Sequence, residues 1–334
     1  MVQSQPPVID IRGLPEGDGA ALQRVGQALR GAPARLGLFH VTHHGIPRDD
    51  LHAFDETMHA LFAMGEAEKA AIRRTRENAW GYYDRELTKN RPDWKEIFDY
   101  GPEPEPGGHA PAHSDGRNQW PAGHLEWKAV LIRHFAQCER IALSLLRALC
   151  VSLELPADRL DAAFVDHSSY LRLNHYPPCD EPAPPDADWF PEQGRLGVHH
   201  HTDAGALTIL YQDEVAGLQA WVEDRLVLIE PVPDALTVNL GDMLQVWSND
   251  RLRSPIHRVL AHRNRERFSA PFFLNPRYDT VCEPLLEGPA AAASARFRPV
   301  SWAHFRDQRS AGDFADYGAE IQIEDFRIEP TASP

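Results

Sequence analysis

Candidate metal ligands are concentrated in the segment Gly197-Val-His-His-His-Thr-Asp203. His201 and Asp203 are two residues apart, so on a β-strand their side chains point to the same face and can bind one metal ion. A further histidine, His257, lies on another predicted strand. Two histidines and one carboxylate form the facial triad of non-haem Fe(II) oxygenases, which leaves coordination positions open for a cosubstrate and O₂.

Other histidines compete for this assignment. His199 shares the face of His201 by alternation, so only the two-residue spacing to Asp203 favours His201. His200 points to the opposite face and is expected to pack. His113-Ser114-Asp115 has the same ligand spacing, but it lies in a segment rich in Pro and Gly with no strand to align it, so we interpret it as a solvated loop.

The ligand types narrow the choice of metal without identifying it. Imidazoles disfavour Ca²⁺, which prefers oxygen ligands. Zinc accepts the same two histidines and one carboxylate, so a zinc hydrolase stays open on ligand type alone. That alternative ranks below an iron oxygenase, because no general base is evident beside the triad.

Arg267 and Ser269 form a second candidate site, ten residues after His257. They alternate onto one face of a predicted strand, where a guanidinium can bind a carboxylate through two parallel hydrogen bonds and the hydroxyl can add a third. In isolation such a pair is more typical of a surface salt bridge. The flanking run FSAPFFL reads as a buried strand, so we expect an anion anchor inside a cavity.

The composition is globular and disfavours several classes of function. Of 334 residues, 43% are hydrophobic and 25% are charged, which argues against wholesale disorder. The net charge of −15 disfavours nucleic acid as a partner, because phosphate binding needs a surplus of Lys and Arg on one face. No apolar run reaches about 18 residues, so no membrane span is expected. Four scattered cysteines and a start without secretory-signal character predict a cytoplasmic protein.

Apolar periodicity predicts the elements that would position these residues. The N-terminal part reads as a strand over 8–11, a helix over 19–36, a strand over 38–41 and a helix capped by Asp49 or Asp50. The clearest helix comes later, where an apolar stripe with 4-3-4-3-4 spacing comprises Leu131, Phe135, Cys138, Ala142, Leu145 and Leu149.

Residues 101–123 are rich in Pro and Gly and predict a long loop. From about residue 168 the sequence changes to short runs rich in Val, Leu, Ile, Tyr and Trp, which are separated by turns. These eight runs are SSYLRLNHY, GALTILYQ, GLQAWV, LVLI, LTVNL, MLQVW, IHRVLA and FSAPFFL. Their spacing predicts an antiparallel double-sheet barrel.

Eight motifs occur in order along almost the whole chain: PPVIDI, GLFHVTHHGIP, TRENAWGYYDRELTKNRPDWKEIFDYG, LRLNHYPP, GVHHHTDAGALTIL, GLQAWV, VNLGDMLQVWSNDRLRSPIHRV and RFSAPFFLNP. Together they resemble the iron(II)- and 2-oxoglutarate-dependent dioxygenases related to isopenicillin N synthase and to plant flavonoid and gibberellin oxygenases. The resemblance implies a mainly β fold with flanking helices and a double-stranded β-helix (jelly-roll) core. It also implies an N-terminal dioxygenase region over 7–118, the Fe(II)/2-oxoglutarate core over 166–276, and a C-terminal extension over 277–334 that packs on the core.

The resemblance also implies the ligands and the reaction. Fe(II) would be bound by His201, Asp203 and His257, and 2-oxoglutarate by Arg267, Ser269, Tyr176 and Asn174. A small organic substrate would be hydroxylated, desaturated or cyclised while 2-oxoglutarate and O₂ are converted to succinate and CO₂. Ascorbate is a candidate stimulant.

Four residues are candidate substrate contacts: Arg172, Phe273, Tyr82 and Tyr83. Arg172 shares the face of Asn174 and Tyr176 by alternation. It therefore either points into the cavity, where it would bind an acidic neighbour or an anionic substrate group, or points outward to solvent. For the aromatic side chains, packing in the core is the alternative role.

Two alternatives to this function stay open. The first is an Fe(II) oxidase of the same fold that does not use 2-oxoglutarate, in which Arg267 and Ser269 hold a substrate carboxylate or another anion. The second is a catalytically silent jelly-roll binding protein, whose signature would be a broken triad.

Overall fold

The computed structural model describes residues 5–75, 77–103, 117–189, 191–222, 224–286, 294–313, 315 and 318–328. Within these ranges the α-helices are α1 (Gly19–Ala28), α2 (Ala32–Leu36), α3 (Arg48–Phe62), α4 (Glu66–Ala71), α5 (Leu125–Ser152), α6 (Asp242–Trp247) and α7 (Trp302–Gly312). Short 3₁₀ helices span Asp161–Phe164 and Ile323–Phe326. Every helix in the described ranges is too short or too polar to traverse a bilayer.

Most strands in the described ranges lie after residue 168, where the sequence predicted them. They are β1 (Val8–Asp10), β2 (Leu38–Thr42), β3 (Gly81–Tyr83), β4 (Leu87–Thr88), β5 (Arg91–Pro92), β6 (Glu96–Tyr100), β7 (Tyr170–Tyr176), β8 (Leu196–His201), β9 (Leu207–Gln212), β10 (Leu218–Val222), β11 (Arg225–Leu228), β12 (Leu236–Leu240), β13 (His257–Leu260), β14 (Arg267–Leu274), β15 (Val281–Cys282) and β16 (Val300–Ser301).

Two sheets form the centre of the fold. The larger has the order β1-β2-β12-β9-β14-β7-β6-β3, and the smaller has the order β11-β10-β13-β8. Their neighbouring strands are antiparallel except for β1 and β2. Side chains of both sheets meet in one apolar cluster that includes Tyr176, Val198, Leu210 and Val259. The predicted jelly-roll core is confirmed.

The predicted apolar stripe becomes the buried face of α5. Its six members are all buried. α5 packs on α1 and α3 and on the outer side of β9 and β14. This helical layer shields one face of the larger sheet, so the other face is available for the space between the sheets.

The helix predicted over 19–36 is two helices. α1 ends at Ala28, and Gly31 follows with φ of +79°, a left-handed conformation that L side chains disfavour. α2 then starts with Pro33 in its first turn. The apolar period continues across this break, so it could not locate the break.

Two other local predictions are wrong. MLQVW, predicted as a strand, is helix α6. All its side chains are buried, and a uniformly buried segment has no period that separates helix from strand. α3 begins after Pro47, so Asp49 and Asp50 lie in its first turn rather than at the cap. In the predicted loop, 101–103 and 117–123 contain no helix or strand, and 104–116 lie outside the described residues.

Candidate active site

His201, Asp203 and His257 converge between the two sheets. One ligand atom from each lies within 4.8 Å of the others. Asp203 Oδ1 is 3.7 Å from Nε2 of His201 and 3.6 Å from Nε2 of His257. His201 ends β8, His257 begins β13, and the two are register partners in the smaller sheet. This spacing suits the binding of one metal ion by three protein atoms.

Backbone carbonyls orient both histidines. Nδ1 of His201 is 2.8 Å from the oxygen of His199, and Nδ1 of His257 is 3.0 Å from the oxygen of Pro255. Because a carbonyl can only accept, each Nδ1 carries the proton and each Nε2 presents a lone pair to Asp203. Burial, reinforced by His257, lowers the pKa of His201 well below its ordinary value, so the ring is neutral and able to bind metal.

The Asp203 carboxylate is held through its other oxygen. Oδ2 accepts hydrogen bonds from Thr208 Oγ1 at 2.7 Å and from Asn239 Nδ2 at 3.4 Å, which leaves Oδ1 facing the histidines. The turn that carries Asp203 is tightly packed. A Cβ on Gly241 would lie 2.2 Å from the oxygen of Gly205 and 3.0 Å from that of Asp203, so this approach requires glycine.

A β-bulge distinguishes His201 from His199. His257 pairs with His201, but Val259, two residues later, pairs with Val198, three residues earlier in β8. The extra residue in β8 places Val198 and His201 on the same cavity wall. Strand alternation alone predicts that His199 shares the face of His201. The bulge is the physical reason that this prediction does not hold.

The other described histidine candidates, His199 and His200, make contacts outside the triad. Asp93 Oδ1 accepts from the backbone N of His199 and lies 3.0 Å from its Nδ1. His200 packs against the Trp189 ring, with centroids 4.9 Å apart, as expected. The HxD pair at 113–115 lies outside the described residues.

The predicted anion anchor is built from two cross-strand pairs of β14 and β7. Arg267 is opposite Tyr176, and Ser269 is opposite Asn174. The Arg267 guanidinium lies 5.0 Å from the Tyr176 ring centroid, and Ser269 Oγ lies 3.5 Å from both Tyr176 Oη and Asn174 Nδ2. All four side chains line a cavity, the anchor chamber, whose wall includes His201, Asp203 and His257.

Three buried polar atoms of residues that line this cavity lack a hydrogen-bond partner within the described part of the chain, namely Arg267 Nη1, Asn174 Oδ1 and Asn239 Oδ1. The Arg267 side chain is held by Nε donating to the oxygen of Val215 at 3.1 Å and Nη2 donating to Gln212 Oε1 at 3.0 Å. A buried guanidinium N–H without an acceptor is costly. The position therefore fits a ligand carboxylate, such as that of 2-oxoglutarate.

Arg172 lies on the cavity wall, and its charge is compensated within the protein. Nε and Nη2 donate to Asp99 Oδ1 and Oδ2, both at 2.8 Å, and Nη1 donates to Glu86 Oε2 at 2.7 Å. The outward alternative for Arg172 is therefore wrong. Asp99 and Glu86 supply the negative charge that an anionic substrate group would otherwise supply. Arg172 therefore presents no unpaired cation to a substrate.

The Arg172 pair belongs to a buried network of three cations and three anions: Arg74, Lys95, Arg172, Glu86, Asp93 and Asp99. Burial opposes ionisation of Glu86, but Arg172, Lys95 and Arg74 outweigh it and lower its pKa to about 2. The six formal charges therefore cancel. Lys95, which sequence reasoning missed, also lines the cavity wall.

A second chamber adjoins the anchor chamber and shares His201 and Asp203 with it. Phe273 lines both chambers, as its position after the anchor suggested. Tyr82 and Tyr83 are not among the described residues that line either chamber, because β3 is the outermost strand of the larger sheet. The Tyr82 hydroxyl donates to Glu96, and Tyr83 lies beneath the Arg74 guanidinium. The prediction of a substrate contact is corrected for these two tyrosines.

Helix α7 forms a wall of the second chamber that sequence reasoning did not find. Trp302, Arg306, Arg309 and Asp313 recur at 4-3-4 spacing, so they share one face of the helix and its end. All four line the chamber. The spacing was visible in the sequence, but in an acidic, Ala-rich stretch nothing indicated what the face would cover.

Two family profiles match the chain. The profile of the 2OG-Fe(II) oxygenase superfamily matches residues 167–276, which contain the triad and the anchor. The profile described as the N-terminal region of the non-haem dioxygenase in morphine synthesis matches residues 6–123.

Similar proteins extend over most of the chain. Gibberellin 20 oxidase 2 of Oryza sativa subsp. indica is 31% identical, with 95% of this chain and 83% of that protein covered. The 2-oxoglutarate-Fe(II) type oxidoreductase hxnY of Emericella nidulans is 30% identical, with 90% and 88% covered. A full-length Neurospora crassa protein, crystallised in complex with alpha-KG (2-oxoglutarate) and thymine, is 26% identical, with a TM-score of 0.77 and 94% and 99% covered.

Proposed function

The chain belongs to the 2OG-Fe(II) oxygenase superfamily, and we propose that it binds Fe(II) through His201, Asp203 and His257 and 2-oxoglutarate through the anchor at Arg267. It is an oxidoreductase that oxidises a small organic molecule and converts 2-oxoglutarate to succinate. Bound Fe(II), with 2-oxoglutarate and O₂, supplies oxidising power that protein side chains lack.

One observation carries the proposal. Three neutral or anionic donor atoms within 4.8 Å of one another share a cavity with a buried guanidinium that has an unused N–H. Two imidazoles and a carboxylate are a ligand set that Fe(II) accepts. The unused Arg267 N–H is what the distal carboxylate of a cosubstrate would need.

The protein side chains position the reactants and exclude water. The carbonyls of His199 and Pro255 orient the two imidazoles, and Thr208 and Asn239 orient Asp203. Apolar residues complete the wall of the anchor chamber; they are Val198, Leu210, Leu218, Val259 and Pro271. In a wall of this kind the charge-assisted contact at Arg267 is stronger than it would be in water.

The alternatives are less well supported. An oxidase that ignores 2-oxoglutarate would have to fill the Arg267 position with a substrate carboxylate, whereas relatives named above carry 2-oxoglutarate in their names or crystals. A silent binding protein would not need an intact triad with both imidazoles and the carboxylate oriented. A zinc hydrolase would share the ligand set, but the profile that matches the triad and the anchor is that of Fe(II) oxygenases.

We also propose a cytoplasmic protein that has neither nucleic acid nor a membrane as partner, organised as the regions 7–118, 166–276 and 277–334. The net charge of −15 supports the first part. All four cysteines are free and buried, which is compatible with a reducing compartment.

The test is a substrate-library screen under Fe(II), 2-oxoglutarate and ascorbate, reading succinate and product mass together. We expect equimolar succinate and oxidised product, and loss of both in His201→Ala, Asp203→Ala and His257→Ala, with far-UV circular dichroism unchanged. The control is His52→Ala, an exposed histidine on α3. Product formation without 2-oxoglutarate would favour the oxidase, and near-normal activity in a triad variant would remove that residue from the ligand set.

A further inference from the structure

Several charged side chains line the second chamber, and most of them are already paired within the protein. Lys95 contacts Glu86 and Asp93, and Arg172 contacts Asp99 and Glu86. On α7, Arg309 Nη1 is 3.2 Å from Glu320 Oε1, and Nη2 donates to the oxygen of Thr202 at 2.7 Å. These groups hold the wall together and offer little charge to a ligand.

Arg306 and Asp313 also line the chamber, but they lack such ion-pair partners among the described residues. Arg306 donates through Nη1 to Ser310, one turn along its own helix, and its guanidinium lies 5.0 Å from the Tyr170 ring centroid. Among the described residues, Arg306 has no carboxylate partner inside salt-bridge distance, and none of them donates a hydrogen bond to the Asp313 carboxylate. The two side chains are seven residues apart, two turns along one helix face, and both line the chamber beside the triad.

Resting on the function proposed above, we propose that Arg306 and Asp313 determine substrate specificity, and that the substrate is a small molecule without net charge that offers an acceptor oxygen to Arg306 and an N–H donor to Asp313. Zwitterionic α-amino acids and neutral ring lactams share this donor–acceptor chemistry.

Charge balance favours this class over a simple anion. A monocarboxylate could pair with Arg306, but it would bring a negative charge into a chamber that already contains the unpaired Asp313. Burial, followed by the nearby Glu86, raises the pKa of Asp313 to about 7 against the attraction of Arg172, Arg74 and Arg306, so the protein only partly stabilises the Asp313 charge. A substrate N–H would stabilise that carboxylate.

The aromatic wall suits a compact substrate. Tyr170 and Phe273 stack with ring centroids 4.7 Å apart, and Phe273 also lines the anchor chamber. A substrate that contacts Arg306 and Phe273 therefore lies near the triad, because His201 and Asp203 line the same chamber. Polar contacts on one side and rings on the other would fix its orientation.

The test measures binding and turnover separately with three probe sets of matched size: α-amino acids, ring lactams, and monocarboxylic acids without a donor. Calorimetric titrations are done anaerobically with Fe(II) and 2-oxoglutarate, and succinate release is measured in air. We expect binding and succinate release with members of the first or second set and none with the third. Response to the monocarboxylic acids alone, or to none of the sets, would overturn the inference.

Variants then test the two residues on the responding probe. Arg306→Gln should weaken probe binding and raise KM by about tenfold to a hundredfold, the usual effect of losing a charge-assisted hydrogen bond. Asp313→Asn should have a similar effect on an amino acid but a smaller effect on a lactam, because an amide oxygen still accepts an N–H; this contrast identifies the set.

The matched controls lie away from the chamber. Arg298→Gln removes an exposed arginine, and Asp307→Asn alters an exposed carboxylate on α7. Equal effects of these controls and the two chamber variants would contradict the inference. Probe binding that depends on Arg306 without succinate release would instead contradict the proposed function, so the two failures are distinguishable.

Discussion

Arg172 and Asp99 face each other across β7 and β6 and form a bidentate pair, with both N–O distances at 2.8 Å. Arg172 lies on the cavity wall, and the Asp99 side chain behind it is only 4% exposed. Two planar groups that satisfy each other in this way form a structural support for the site rather than a receptor for a ligand.

Asp99→Asn should therefore reduce stability more than it reduces substrate affinity. It leaves the buried Arg172 charge without its main partner, which costs on the order of 3–5 kcal/mol of unfolding free energy. Urea denaturation measures this loss. Asp84→Asn is the control, because Asp84 forms a similar bidentate pair with Arg73 but is 31% exposed, and such a pair contributes about 1 kcal/mol or less. Equal losses in the two variants would argue against the network.

Thr208→Val should weaken Fe(II) binding although Thr208 is not a ligand. Its hydroxyl donates to Asp203 Oδ2 at 2.7 Å, and valine keeps the shape but not the hydrogen bond. Removing such an orienting bond typically lowers metal affinity by about tenfold to a hundredfold. Competition with a chromophoric chelator measures the affinity. Thr57→Val, which removes a hydroxyl bonded to the oxygen of Ala53 within α3, should leave it unchanged.

Arg267→Ala should weaken binding of 2-oxoglutarate, because the ligand carboxylate would lose its charged partner in a buried site. A cost of roughly 2–5 kcal/mol corresponds to tens-fold to thousands-fold weaker binding. Arg267→Lys should restore part of the affinity, since an ammonium cannot form the planar fork. The metal-to-ligand absorption of the anaerobic Fe(II) protein reports the titration. Arg265→Ala, with a half-exposed side chain, is the control, and an unchanged affinity in Arg267→Ala would place the anchor elsewhere.

His134 should make the protein less stable in acid. Burial beside Phe54 lowers its pKa from 6.5 to about 3, so the folded protein keeps the ring neutral while the unfolded chain protonates it below 6.5. The unfolded state then binds more protons, and stability falls as the pH drops from about 6.5 towards 3. His134→Gln should flatten this part of the pH profile of unfolding free energy, whereas the exposed His52→Gln should not. A slope unchanged by His134→Gln would contradict the assignment.

Much of the active site could be predicted from local sequence. The ligand types, their two-residue spacing and the shared faces of Arg267 with Ser269 and of Asn174 with Tyr176 all depend on strand alternation. Alternation is a property of the backbone itself, so it needs no knowledge of distant residues. The apolar stripe of α5 could be predicted for a similar reason, because helical periodicity is also a property of the backbone.

The tertiary structure decided the features that depend on residues far apart in the chain. The bulge in β8 arises from its pairing with β13, so sequence period alone could not separate His199 from His201. Arg172 meets Asp99, 73 residues earlier, because β6 and β7 pair in one register. The face of α7 becomes a chamber wall only because the helix packs over the triad. Sequence determines which groups a strand or helix presents; cross-strand register and helix packing determine what those groups meet.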